Sequence, residues 1–157
     1  MKQVLLAVSL MFLVWIPAPA KDQVQDLDAI RAQRDPKKRA RLAWDFAASR
    51  LDAAKKLYAG GDWSGTQHAL SEMADGVELG HAALKETGER PRRSKHYKRG
   101  ELETQELLRR LDDFLRAMSV EDRTAAEDVR KRVDAVHQTL LLGVMGQEPQ
   151  KSAKEKP

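Results

Sequence analysis

Two carboxylate–histidine pairs, Glu78-x-x-His81 and Asp134-x-x-His137, come nearest to chemistry in this 157-residue chain. Three residues apart on a helix, a carboxylate and an imidazole share one face. Two helices carrying such pairs, with one carboxylate from each of two others, hold the metals of carboxylate-bridged bundles. A metal-binding helical bundle is therefore the alternative reading of the chain. Helical projection argues against it. His81 and His137 fall at the margins of their apolar faces, and Glu78 and Asp134 turn farther toward solvent. The acids of the other two helices, Asp45, Asp52, Glu103, Glu106 and Asp112, also turn away from a shared interior. Nucleophilic chemistry lacks its parts as well. There is no cysteine, and Ser49, Ser64, Ser71 and Ser119 stand in helices or caps without a Gly-x-Ser-x-Gly elbow. Gly60-Gly61 lacks the lysine and hydroxyl of a nucleotide loop. The residues predict a non-enzymatic protein with no catalytic residue, metal ligand or cofactor.

Charge clustering supplies the second candidate. Between Gly88 and Gly100, the cations Arg90, Arg92, Arg93, Lys95, Lys98 and Arg99 place six fixed charges in ten residues with no acid among them. Pro91 forbids a continuous helix through that stretch. Lys95, Lys98 and Arg99 fall in the expected first turns of the next helix, where the dipole already favours negative charge. Cations stacked on a positive helix end leave a potential that an anion relieves. The chain carries a formal net charge of only +4, too small to attract anions generally, so the stretch is the one candidate anion-binding site. An anionic envelope component, such as a phosphate-bearing glycan or an anionic lipid headgroup, is the ligand it suggests. The competing reading is a solvated polar loop. Nucleic acid is disfavoured because only His96 and Tyr97 offer stacking surfaces.

The elements that must position these residues are helices. Charged residues make up 33% of the chain and aromatics 5%, so a core of Ala, Leu and Val on amphipathic helices is expected. Lys21 to Arg34 has a sparse apolar stripe, Val24, Leu27 and Ile30, suited to a short helix. Asp35-Pro36 then reads as an N-cap and first helical residue. On the helix that follows, Ala43, Phe46, Ala47, Leu51, Ala54, Leu57 and Tyr58 form a broad apolar band, edged by Leu42 and Trp44. Arg50 lies inside that band, where its stem is expected to pack and its head to reach water. Gly60-Gly61 ends this helix and Asp62 caps the next, whose stripe runs through Trp63, Leu70, Met73, Val77 and Leu84. In this turn Ala54, Leu57, Gly61, Trp63 and Thr66 stand at the small, large, Gly, aromatic and small positions of a tetratricopeptide repeat. The hairpin around residues 54–66 resembles one repeat of that family. Gly76 and Gly80 predict a neighbouring backbone packed close to the second helix.

A third helix carries Tyr97, Thr104, Leu107, Leu108, Leu111, Phe114, Leu115 and Met118 on one face. Ser119 to Asp122 reads as a capping box opening a fourth, through Ala126, Val129, Val133, Val136, Leu140 and Val144. The predicted fold is all-α: four long helices as two antiparallel hairpins, 36–87 and 101–146, joined by the basic connector 88–100. Residues 1–20, with Lys2, the apolar run Val4–Ile16, Pro17 and Ala18-Pro19-Ala20, read as a cleaved signal peptide, the run falling short of the roughly twenty residues a membrane span needs. The bundle domain would then be 21–146, periplasmic or secreted, with 147–157 a disordered tail. With no catalytic set, an exported interaction or scaffold module, its partner an unknown protein or an anionic envelope component, is the functional expectation.

Overall fold

A computed structural model describes residues 26–147, so the signal peptide and all but the first residue of the predicted tail lie outside the described residues. The described chain is all-α: α1 (Leu27–Arg31), α2 (Pro36–Ala59), α3 (Trp63–Glu86), α4 (Lys95–Ala117) and α5 (Val120–Met145), with a short 3-10 turn at Pro91–Arg93. None of these helices is long and apolar enough to cross a membrane.

Local chemistry sets each boundary. Asp35 accepts hydrogen bonds from the amides of Lys37 and Lys38, with Pro36 in the first turn. Gly61, at φ 78°, takes the left-handed conformation that ends α2, and Asp62 accepts from the Gly65 amide at 2.8 Å to start α3. Gly88, at φ 64°, ends α3. Ser94 caps α4, whose first residue is Lys95, so nearly half of the predicted connector, 95–100, is helical and the loop proper is only 88–94.

α2 and α3 form one antiparallel hairpin and α4 and α5 the other. Lys37 pairs with Glu89 at 2.6 Å and Arg39 with Glu86, which places the start of α2 beside the end of α3. At the opposite end, Tyr58 of α2 bonds Asp122 of α5 at 3.0 Å. The hairpins therefore stack with like directions together, α4 alongside α2 and α5 alongside α3. α1 carries Leu27 and Ile30 of its predicted stripe, and Val24 lies outside the described residues. Its Ile30, 3% exposed, docks on Ala43 and Phe46 at the flank of α2.

The α2–α3 contact is close because its residues are small. A Cβ added at Gly76 would lie 3.0 Å from both the Ala43 carbonyl oxygen and the Phe46 ring, and one at Gly80 would lie 3.1 Å from the Trp44 indole. This close packing offsets the roughly 1 kcal/mol that each helical glycine costs relative to alanine. The same closeness corrects the expectation for Arg50. Its side chain is only 17% exposed and pairs with Glu72 of α3, its head covered by the neighbouring helix rather than reaching water. Between the hairpins, Leu51, Leu70, Met73, Leu84, Leu111, Val133 and Leu140 are fully buried. Among the described residues the Ala54–Thr66 turn occurs once, since Met118 and Ser119 join α4 to α5 without a glycine.

Candidate functional site

The two carboxylate–histidine pairs are drawn into separate contacts. Glu78 accepts two hydrogen bonds from Arg132 of α5, each 2.9 Å, while the same guanidinium reaches Asp75 at 2.6 Å. Those bonds raise the pKa of Arg132 further above its ordinary value. His137 lies 3.3 Å from Glu101 of α4, each side chain 12% exposed. His81 sits half-buried in a shallow cleft with Glu78, Lys85, Glu86 and Val136. Burial, and then the Lys85 charge, lower its pKa from 6.5, favouring neutral imidazole. Among the described residues no three His, Asp or Glu side chains gather to hold a metal ion. Glu101 escaped the sequence reading, although it stands four residues after Tyr97 and three before Thr104, on the stripe that faces inward.

The six connector cations, all exposed, are divided in space. Pro91 and Arg92 lie over the end of α5: a Cβ on Gly143 would sit 3.1 Å from Pro91 Cβ, and one on Gly146 would sit 3.1 Å from Arg92 Cδ. Arg92 thus stands beside the C-terminus of α5, whose last turn has no basic residue of its own, and its charge suits the negative end of that dipole. Lys95, Lys98 and Arg99 belong instead to the first turns of α4. The charge run that looks continuous in sequence therefore serves two helix ends. Its loop is fastened by Glu89, which pairs with Lys37 and accepts from the Ser94 hydroxyl. Both hydrogen bonds, that from Lys37 first, lower the Glu89 pKa.

The site that the fold assembles lies between α2 and α4. Because these helices run parallel, their N-termini open at the same end of the bundle, and neither has an acid in its first turn. Between them is a cavity of about 370 Å³, lined by Lys37, Lys38 and Arg41 of α2, by His96, Arg99 and Glu103 of α4, and by Asp35, Ala40, Trp44 and Leu84. Arg99 is held by Glu103 at 2.6 Å and Lys37 by Glu89, whereas Lys38 and Arg41 are exposed with no carboxylate partner among the described residues. Of the six predicted anion-binding residues, only Arg99 lines this cavity; Arg90, Arg92, Arg93, Lys95 and Lys98 do not.

Trp44 forms the floor. Its Nε1–H donates to Thr104 Oγ1 at 3.1 Å, and the Thr104 hydroxyl donates to the Gly100 carbonyl at 2.7 Å. A Cβ at Gly100 would lie 2.6 Å from the indole Cη2, so only glycine admits the ring there. Adjoining the first cavity is a second of about 290 Å³, lined by Trp44, Asp45, Ala48, Leu102, Glu103, Glu106, Leu107 and Arg110. Lys38, Arg41 and Trp44 were missed as site residues. The signal was present: Lys37-Lys38-Arg39 stacks cations on the positive end of α2, as Lys95, Lys98 and Arg99 do on α4.

Comparison with known proteins gives no match to a family model, a curated protein or a solved structure. Class and site here rest on geometry: an all-α bundle with a cationic groove at one end.

Proposed function

We propose that this protein is an exported, non-enzymatic binding module, periplasmic or secreted, that captures an anionic group at the cationic mouth of the α2–α4 groove. The observation that carries the reading is the meeting of two parallel helix N-termini, without first-turn acids, around a cavity lined by Lys38 and Arg41, cations with no carboxylate partner among the described residues. The Asp35 carboxylate caps and offsets the α2 end, so the positive charge comes from the side chains and from the serine-capped end of α4, equivalent to roughly half a charge. The cavity volume is at the small end of the range for ligand pockets, which suits a phosphate-sized group better than a folded partner. This keeps Arg99 of the connector and adds Lys38 and Arg41 of α2, with His96 beside them.

Calorimetric titration of the full chain with inorganic tripolyphosphate, at low and physiological salt, tests the reading. Lys38→Gln with Arg41→Gln should weaken binding by about tenfold per charge removed, and added salt should weaken the wild type. Equal binding by the wild type and the double variant, or no binding by the wild type at low salt, would remove the groove from consideration.

A further inference from the structure

We infer that the groove takes a phosphate-bearing, single-chain amphiphile as a monomer, its headgroup at Lys38, Arg41 and Arg99 and its alkyl chain running past Trp44 over Ala48, Leu102 and Leu107. This rests on the anion-binding reading and names the class of ligand. The two cavities share Trp44 and Glu103 as walls, so they are consecutive reaches of one groove. Its character changes along the axis. The first reach presents Lys37, Lys38, Arg41 and Arg99 against Asp35 and Glu103. In the second, the indole, Ala48, Leu107 and Leu102 supply an apolar strip, and Leu102 is 60% exposed although large and aliphatic.

Hydrogen bonding separates an alkyl chain from an extended peptide as occupant. A peptide backbone needs a donor or acceptor for each amide it buries. In the apolar reach most polar groups are already engaged: the Trp44 N–H with Thr104, Arg110 with Asp52, Glu106 with Arg109 and Glu103 with Arg99. Asp45 remains, exposed at the rim. A hydrocarbon chain asks for no partner. Geometry separates a monomer from a membrane surface, because Ala48, Leu107 and the indole lie in the floor and walls of a groove rather than on a protruding edge. Arg41 and Ala48 are seven residues apart on α2, about 10 Å along the axis, the reach of an extended chain of roughly eight carbons.

The test is calorimetric titration of the full chain with alkyl phosphates from butyl to dodecyl, below their micelle concentrations, alongside decyl maltoside and vesicles containing phosphatidylglycerol. A fully buried methylene is worth about fourfold in affinity, and an open groove covers about half of each. Affinity should therefore rise roughly twofold per methylene and level off near eight carbons. Leu102→Gln, at an exposed position, should weaken decyl phosphate several-fold and butyl phosphate much less, and decyl maltoside should bind far more weakly than decyl phosphate. If butyl and decyl phosphate bind alike, this inference fails and the cationic mouth stands. If no alkyl phosphate binds at low salt, both readings fail. Decyl maltoside binding as tightly as decyl phosphate, vesicle binding without monomer binding, or self-association abolished by Leu102→Gln would each overturn the monomeric amphiphile.

Discussion

At the scale of single residues, Trp44 ties α2 to both α3 and α4. Its ring rests on Gly80 of α3 and Gly100 of α4, it donates to Thr104, and it floors both reaches of the groove. Alanine is the better helix former by about 1 kcal/mol, yet Gly100→Ala should destabilise the protein by roughly 1–3 kcal/mol, because the new methyl meets a ring too rigid to yield. Urea unfolding measures this, and a stabilised variant would place the indole elsewhere. His81 gives a pH prediction at the same scale. Its folded pKa is lowered by burial and by Lys85, with Glu78 and Glu86 in the same cleft. The unfolded chain therefore binds the proton first, and the contribution of neutral His81 is complete above its ordinary value of 6.5 and lost as pH falls through the folded value. Between pH 7.5 and 5, the urea midpoint should drop more in the wild type than in His81→Gln. Parallel midpoint curves would show that His81 is not buried in the folded state.

Among the elements, the least expected feature is the way α2 completes the cap of α5. A capping box has the third residue reach back to the cap amide. Here the Asp122 amide donates to Ser119 Oγ at 3.2 Å, but the Ser119 amide donates to the Tyr58 hydroxyl at 3.0 Å, and that hydroxyl donates to Asp122. Tyr58 is thus inserted into the box, with its ring edge-on to Phe114 at 5.7 Å. Tyr58→Phe keeps the aromatic contacts and removes both bonds, so a loss of about 1–2 kcal/mol is expected. In a double-mutant cycle with Ser119→Ala the two losses should fail to add. Additive losses would mean that the tyrosine acts only through packing. The capping box was legible from Ser119 and Asp122, since both partners lie within one turn. Tyr58 lies 61 residues from Ser119 and read only as part of an apolar band.

For the molecule as a whole, the packing of the hairpins decides where charge gathers. The like-directed stacking of the hairpins brings the start of α2 next to the start of α4 and sends Arg92 to the end of α5. In the tripolyphosphate titration, Arg92→Gln with Arg93→Gln should therefore bind within about twofold of the wild type. The same change should reduce stability slightly, by about 0.3–1 kcal/mol, as a cation leaves a helix C-terminus. Sequence by itself determined the long helices, the caps at Asp35, Asp62 and Ser119, the glycine turn at Gly60-Gly61, the close packing at Gly76 and Gly80, and the all-α class, because each rests on periodicity or on hydrogen bonds within a few residues. The tertiary structure alone decided that Glu78 meets Arg132, that His137 meets Glu101, that Arg50 is covered by α3, and that Lys38, Arg41 and Arg99 share one cavity. Those pairings depend on which helix faces which and in what direction, and apolar stripes, which bury equally well against any neighbour, do not encode that choice.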